Sequence, residues 1–363
     1  MTLPAERTLT TRSGMVRIES IDAVRSIALL GIIILNYHGY LNRSRAIGAN
    51  EPNFFVRIMD AWNGVLAPSP VIFVVVSGIG CALLSSANFD RVVLVRRGLF
   101  LFTIGSMFEW VWNGTILPYF GVYFLLAAII GSWSRRNIAL VAVFCTLSAA
   151  VLSHWVFVRN RAGHSTAWLS PALPDSPRNV VFRYFIDYTH PVLPWFTFFC
   201  LGLIIGRSLP WFMANRLRLL GALVPGVAAV YTLSTVVRRT TDGAWQHVTS
   251  TDPFERGVLA TVGVAMSAVI VIIVVSRLAE VFASSSIVDV LVRAGRTTLT
   301  LYVMHGLTYN LVVNRLHWVK PAGLDVAVGL AALVWIFLLA FGAWWNRFIG
   351  TGPIERAMRR FAG

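Results

Sequence analysis

Long apolar runs, separated by short polar segments, dominate the chain from about residue 21 onward. Most of them approach the roughly 20 residues that a helix needs to cross a hydrocarbon layer of about 30 Å. Ten runs predict ten transmembrane helices, of which the fourth and sixth are short. They cover approximately 21–41, 65–86, 94–112, 116–133, 138–158, 190–206, 218–236, 257–276, 297–316 and 325–345. The predicted fold class is therefore an all-α, polytopic integral membrane bundle.

The polar segments predict the domain limits and the orientation. They divide the chain into a leader at 1–20, a transmembrane domain at 21–345 and a basic tail at 346–363. The leader is not read as a signal peptide, because the apolar run behind it carries Asp22 and Arg25. The pair Arg96-Arg97 stands in a short turn, as is typical of cytoplasmic loops. We predict that both termini are cytoplasmic.

Composition excludes a soluble protein. Only 13% of the residues are charged and 56% are hydrophobic, with a mean hydropathy of +0.69, whereas a soluble domain has about 25% charged residues. The net charge of +15 would suggest nucleic acid in a soluble chain. Here the basic residues flank apolar runs, as membrane anchors do. The predicted partner is the lipid bilayer, and no nucleic acid is expected.

Polar side chains inside the first predicted helix form one stripe. Arg25 and Asn36 differ by about 20° on a helical wheel, and Asp22 and Asn36 by about 40°. Charged and strongly polar groups are costly in a bilayer and often line a functional path. The alternatives are an interfacial i,i+3 pair for Asp22 and Arg25, and a helix–helix hydrogen bond for Asn36.

The ninth predicted helix carries a histidine in mid-membrane. Thr298, Tyr302, His305 and Tyr309 fall within about 80° on the wheel. Imidazole can accept and return a proton near neutral pH, which makes His305 a candidate general base. A histidine hydrogen-bonded to a neighbouring helix is the structural alternative. The surrounding tyrosines favour a functional reading.

His38 is a second candidate base, just beyond Asn36. Its wheel position is about 140° from Arg25, so a continuous helix would turn it away from the stripe. We expect His38 to join the stripe only if Gly39 ends the helix. No histidine or acidic cluster has the spacing of metal ligands, and no metal is predicted.

A small-residue segment and two loops have both a structural and a functional interpretation. Ser77-Gly78-Ile-Gly80 is a small-residue face, which is typical of close helix packing. Two loops predicted on the outer side, at about 159–189 and 237–256, either cover a site or simply connect helices. The second of these loops contains His247.

The first helix also carries a family resemblance. The segment Arg17-Ile-Glu-Ser-Ile-Asp22-Ala-Val-Arg25-Ser-Ile-Ala-Leu-Leu-Gly31-Ile-Ile-Ile-Leu-Asn36 resembles the opening of the YeiB-like membrane proteins. Ser26 stands where that family usually has glycine. Arg96-Arg97, Gly295-Arg296-Thr-Thr and Gly352-Pro-Ile-Glu355-Arg356 also resemble the family's pattern.

The opening, together with Trp62-Asn63-Gly64 and Tyr302-Val-Met-His305, is similar to heparan-glucosaminide N-acetyltransferases and, more distantly, to acyltransferase-3 proteins. Two departures concern histidines. Asn36 stands where acyltransferase-3 proteins have a histidine, and Met59-Asp60 stands where the sugar N-acetyltransferases have one before Trp-Asn-Gly. The middle of the chain, roughly 140–290, carries no family motif.

The resemblance implies transfer of an acyl group, with acetyl expected, from cytoplasmic acyl-CoA to a sugar, glycolipid or lipid on the far side. The expected catalytic residues are His305 or His38, with Asn36. The expected CoA-binding residues are Arg25, Arg96, Arg97 and Arg296. The expected substrate-binding residues are Asp22, Asp60, Trp62, Asn63, Ser77, Tyr302 and Tyr309.

Two other classes stay open at this stage. A proton-coupled transporter or flippase would also use intramembrane charges and a central histidine, although no internal repeat typical of transporters is visible. A non-catalytic subunit that retains the fold is the third reading. The abundance of Arg over Lys favours a bacterial plasma membrane, and a homodimer is left open.

Overall fold

The structure, a computed structural model, describes residues 8–10, 16–43, 68–84, 90–241, 243–252, 255–319 and 324–363. An antiparallel pair of short strands, β1 (Thr8–Thr10) and β2 (Val16–Ile18), precedes the helices. The helices are α1 (Glu19–Arg43), α2 (Ser69–Leu84), α3 (Arg91–Glu109), α4 (Leu117–Ile130), α5 (Arg135–Arg161), α6 (Val192–Arg207), α7 (Leu209–Thr240), α8 (Val258–Val281), α9 (Ser286–Gly295), α10 (Thr298–Tyr309), α11 (Leu324–Phe348) and α12 (Pro353–Ala362). Shorter helical segments are Ala167–Leu169, Pro177–Val181, Phe182–Ile186, Ala244–Val248 and Asn310–Arg315.

The predicted helical membrane bundle is confirmed. Each of the ten predicted spans overlaps one of the helices α1–α8, α10 and α11, and α9 and α12 are additional. Within the part of the chain that is described, five helices are long and apolar enough to cross a membrane, and α2, α4 and α6 are shorter apolar helices. The orientation of the termini stays a prediction.

Two of the long helices expose large apolar side chains. Phe144 on α5 is 67% exposed, and Leu217 on α7 is 66% exposed. Exposing such apolar side chains to water is energetically unfavourable, whereas lipid tails solvate them. These faces therefore fit a protein embedded in a bilayer.

One predicted loop is largely helical. The charge pattern predicts a cytoplasmic turn between the sixth and seventh spans, at 207–217, but α7 begins at Leu209, directly after Ser208. Pro210 lies in the first turn of α7. Proline fits there because its fixed φ suits a helix and no partner is needed for its missing N–H. Arg216 therefore lies on a helix rather than in a loop.

The chain forms two compact units. Unit 1 contains residues 1–73, 108–113 and 271–360, and unit 2 contains 74–107, 114–270 and 361–363. In unit 1, α1 packs against α9, α10 and α11, and α9 also packs against α11. Gly295, at the end of α9, allows a close approach, because a Cβ there would clash with the backbone of Asp22 on α1.

Unit 2 is organised around α6, which packs against α4, α5 and α7. Within the same unit, Gly78 on α2 faces Gly202 on α6, and a Cβ on either glycine would collide with the backbone of the other helix. The small-residue face predicted from the sequence is thus a packing surface at Gly78. Only glycine permits backbones to approach this closely.

Candidate functional site

The candidate site lies within unit 1, where α1 meets α10. His305 on α10 is fully buried, and its Nε2 atom lies 3.1 Å from Nδ2 of Asn36 on α1. The two residues are 269 positions apart in the chain. Two polar residues that stand out in the sequence, on different predicted helices, therefore meet inside the bundle.

Backbone contacts fix the orientation and the tautomer of His305. Its Nδ1 atom is hydrogen-bonded to the backbone carbonyl of Tyr302, one turn earlier on α10. A carbonyl oxygen only accepts, so Nδ1 must carry the hydrogen and the neutral imidazole keeps its lone pair on Nε2. The ring nitrogen that faces Asn36 is therefore the basic one.

Asn36 has hydrogen-bonding capacity beyond this contact. Its Nδ2 carries two hydrogens, and one of them suffices for the bond to His305. The other N–H and the Oδ1 atom can interact with a further group. Asn36 is half-buried while His305 is fully buried, so the amide forms the more accessible side of the pair.

Aromatic rings surround the histidine. The Tyr37 hydroxyl donates to the backbone carbonyl of His305 over 2.8 Å. The ring centroids of Trp112 and Tyr302 lie 5.4 and 4.8 Å from the imidazole centroid, and Tyr309 packs against both Tyr37 and Trp112. All four rings are buried. We call these four rings the aromatic wall. They exclude water from the imidazole of His305 and hold it in one orientation.

His38 is not part of this arrangement. The helix α1 runs without a break from Glu19 to Arg43, so Gly39 does not end it and the condition for His38 to join the stripe is not met. A continuous helix places His38 about 160° around the axis from Asn36. The geometry thus favours His305 of the two candidate bases.

Nearer the start of α1, four charged side chains form a chain of ion pairs. Arg25 contacts the buried carboxylate of Asp22 at 2.7 Å, and Nη2 of Arg296 contacts Glu19 at 2.8 Å. The second oxygen of Asp22 lies 3.8 Å from Nε of Arg296. The i,i+3 pair considered from the sequence is therefore present and extends to Arg296. Each of the two arginines already has a carboxylate beside it.

Ser26, the departure from the family pattern, has a structural role. Its side chain is buried, and its hydroxyl donates to the backbone carbonyl of Leu291 on α9 over 2.7 Å. The backbone carbonyl of Ser26 accepts from the indole N–H of Trp335 on α11 over 2.9 Å. Ser26 thus joins α1 to two neighbouring helices of unit 1.

The segment predicted as a basic tail contains α12, which supports the helix that bears His305. Glu355 is nearly buried, and its Oε1 accepts from the backbone N–H groups of Leu299 and Thr300 at 2.7 and 3.1 Å. Its Oε2 accepts from the Thr300 hydroxyl at 2.6 Å. These are donors of the first turn of α10, which has no internal acceptors for them. The negative charge also suits a helix N-terminus.

The remaining predicted residues lie elsewhere. Arg96 is exposed and Arg97 is half-buried on α3, and Ser77 is half-buried on α2; all three belong to unit 2. Asp60, Trp62 and Asn63 lie outside the described residues. In the ranges that the structure describes, no group of three or more His, Cys, Asp or Glu side chains could hold a metal ion.

Several residues around the site were not predicted from the sequence. Trp112 follows α3 and resembles its neighbour Trp110, yet it is 2% exposed against 91% for Trp110. Nothing in the local pattern distinguishes the two. Tyr37 could have been found from its place beside Asn36 on an apolar helix. Glu355 stands in a basic segment where an acidic side chain is ordinarily solvated.

Fold and site together define an integral membrane protein of α-helices in which a buried imidazole contacts a half-buried amide. Residues 17–234 match the family described as heparan-alpha-glucosaminide N-acetyltransferase, catalytic, and residues 211–363 match the one described as protein of unknown function (DUF418). The first match covers more than half of the chain, and the chain belongs to this family of membrane acetyltransferase-like proteins. A comparison with curated proteins finds no match.

Proposed function

We propose that the protein is a membrane-embedded acyltransferase that moves an acetyl group from cytoplasmic acetyl-CoA to a hydroxyl or amine of a sugar, glycolipid or lipid. The observation that carries the proposal is the contact between Asn36 and His305, at 3.1 Å, inside a chain of the acetyltransferase family. A general base and a carbonyl-polarising donor are the two groups that acyl transfer needs.

His305 acts as the general base. Acyl transfer to a hydroxyl or amine removes a proton from the attacking atom, and a base within hydrogen-bond distance accepts it. The Tyr302 carbonyl keeps the proton of the neutral ring on Nδ1, which reserves Nε2 for the acceptor. When Nε2 has taken the proton, the same carbonyl continues to orient the imidazolium. The C–S bond of the thioester then breaks, and the imidazolium gives the proton to the departing sulfur of CoA.

Asn36 couples the entry of the acceptor to the polarisation of the donor. Nε2 has one lone pair, which accepts from Asn36 before substrate binds. An acceptor hydroxyl must displace that hydrogen bond to reach Nε2. The released amide N–H then donates to the oxygen of the thioester carbonyl, where negative charge develops during attack.

The arginines supply candidate contacts for the phosphates of CoA. Guanidinium groups suit phosphate oxygens because of their fork of N–H donors. Arg96 is exposed on α3, next to the half-buried Arg97, whereas Arg25 and Arg296 are already paired with carboxylates in unit 1. Arg25, Arg96, Arg97 and Arg296 all stay candidates for the phosphate contacts.

Orientation and location complete the proposal. With both termini in the cytoplasm, the donor enters from the cytoplasm and the acceptor from the outer side of a bacterial plasma membrane. The rival reading is a proton-coupled transporter, which would also use a buried histidine. The match to an acetyltransferase family favours the enzyme.

Release of CoA separates these readings. Purified protein in lipid nanodiscs is incubated with radiolabelled acetyl-CoA and a panel of glucosamine-containing glycans and hydroxylated lipids. The enzyme predicts CoA release that requires an acceptor, with label recovered on that acceptor. Asn36→Ala should lower the rate about 100-fold, as loss of an oxyanion donor does. The matched control is Asn314→Ala, because Asn314 is exposed on the Asn310–Arg315 segment. Counterflow of an acceptor without CoA release would support the transporter and refute the enzyme.

A further inference from the structure

Unit 2 contains a serine, a histidine and a glutamate in the spatial arrangement of a catalytic triad. Ser153 lies on α5, His247 on the one-turn helix Ala244–Val248, and Glu255 shortly after it. The Ser153 Oγ atom is 3.2 Å from Nε2 of His247, and Nδ1 of the same ring is 3.6 Å from Oε2 of Glu255. Hydroxyl, imidazole and carboxylate are thus aligned through opposite nitrogens of one ring.

The carboxylate oxygen of Glu255 lies on the side of the ring where it favours the tautomer that a nucleophilic serine requires. Oε2 is buried from solvent and makes no hydrogen bond, and its ion-pair partner is Nδ1 of His247. A proton on Nδ1 would satisfy this oxygen after a small closure. Nε2 then keeps its lone pair toward Ser153, as in the serine triads of unrelated folds.

Two acceptors lie within reach of the Ser153 hydroxyl proton. The Ser153 hydroxyl donates to the backbone carbonyl of Glu255, and Nε2 of His247 lies 3.2 Å from the same hydroxyl oxygen. Rotation about one bond transfers the hydrogen bond from the carbonyl to the imidazole. Ser153, His247 and Glu255 are all half-buried, so the group is supported by protein and still open to a ligand.

Packing holds the imidazole in this position. The ring of Phe157, one turn beyond Ser153 on α5, stacks on His247 with centroids 4.4 Å apart and an interplanar angle of 8°. Gly243 begins the short helix with φ +54°, a left-handed conformation that favours glycine. The guanidinium of Arg161 lies over the same Phe157 ring, with 5.7 Å between its carbon and the ring centroid.

From this geometry we propose a second catalytic site, a serine esterase centre that cleaves carboxylic esters. The Ser153 oxygen attacks the ester carbonyl while its proton passes to Nε2 of His247. The bond to the alcohol breaks, the alcohol takes that proton, and the acyl group stays on Ser153 as an ester. Water then attacks the acyl-serine and gives a proton to His247. The bond between the acyl group and the Ser153 oxygen breaks, His247 returns the proton to that oxygen, and a carboxylic acid leaves. Every step is redox-neutral and needs only the ester and water.

The site is separate from the proposed acetyl transfer and is tested without CoA. The full-length protein in detergent micelles is treated with a fluorophosphonate probe, which phosphonylates activated serines, and the labelled peptide is identified by mass spectrometry. We expect labelling on Ser153, none in Ser153→Ala, and a rate lowered about 100-fold or more in His247→Gln. Glu255→Gln should lower the rate about 10-fold or more.

A serine of the same helix provides the matched control. Ser148 lies on α5, outside the triad, and Ser148→Ala should leave the labelling of Ser153 unchanged. Size-exclusion chromatography of each variant separates misfolding from loss of the nucleophile, and His247→Gln keeps the assay decisive if Ser153→Ala does not fold. Absence of labelling on the folded wild-type protein, labelling of another serine, or an equal rate in His247→Gln would overturn the proposal. Hydrolysis of p-nitrophenyl acetate by the wild-type protein should follow the same order of variants.

Discussion

The contact between Glu355 and the start of α10 predicts a large effect for a substitution far from any proposed chemistry. The carboxylate accepts three hydrogen bonds from Leu299 and Thr300, and it is nearly buried. Glu355→Gln removes the charge but keeps one acceptor oxygen. Glu355→Ala removes all the acceptors and leaves the first turn of α10 without them.

The magnitudes follow from the number and kind of bonds lost. A hydrogen bond to a charged group contributes about 1.5–3 kcal/mol and a neutral one about 1 kcal/mol. A charge near a helix N-terminus adds about 0.3–1 kcal/mol. We expect Glu355→Gln to lower the free energy of unfolding by about 2–3 kcal/mol and Glu355→Ala by about 4 kcal/mol, because buried donors then lack acceptors.

Equilibrium unfolding in mixed micelles, monitored by tryptophan fluorescence, measures these differences. The matched control is Asp289→Asn, which removes an exposed i,i+4 pair with Arg293 and should cost about 0.5 kcal/mol or less. If Glu355→Gln were no more destabilising than Asp289→Asn, the carboxylate would not stabilise α10 and the role assigned to α12 would be refuted.

Two further predictions concern packing. Gly202→Ala should lower the free energy of unfolding by about 2 kcal/mol or more, because the new Cβ would meet the backbone of Val75. The control Gly221→Ala on α7, where the space is open, should be neutral or stabilising by about 0.5–1 kcal/mol. Equal effects of the two variants in the same unfolding assay would contradict the close packing of α2 and α6. Trp112→Ala should lower the free energy of unfolding by about 3–5 kcal/mol, because Trp112 is a buried aromatic residue, whereas Trp110→Ala at an exposed position should change it by no more than about 0.5 kcal/mol. A small loss of stability in Trp112→Ala would contradict the packing of the aromatic wall.

Much of the fold could be predicted because lipid imposes a simple rule on the sequence. Backbone groups in a bilayer must be satisfied within the chain, so long apolar runs become helices. The pattern misassigns the segment 207–217 because basic residues such as Arg207 and Arg216 are also typical of loops, and because Pro210 suits a turn as well as a helix start. Charge alone does not distinguish a polar turn from the polar end of a long helix.

The candidate site was only partly predictable for a different reason. Asn36 and His305 stand out because polar groups are expensive in a membrane. Their contact joins residues 269 positions apart, and no local pattern encodes which helices become neighbours. The exclusion of His38 likewise depends on α1 continuing past Gly39, which glycine in a helix permits but does not specify.

Parallel measurement of acetyl transfer in His305→Gln and His38→Gln tests the central claim most directly. Both variants remove an imidazole from a membrane helix, but only His305 faces Asn36 in the structure. Radiolabelled acetyl-CoA and the best acceptor are used, with folding checked by size-exclusion chromatography. We expect kcat/KM to fall about 100-fold or more in His305→Gln and to stay within about two-fold of wild type in His38→Gln. Full activity in a folded His305→Gln variant, or loss confined to His38→Gln, would contradict it.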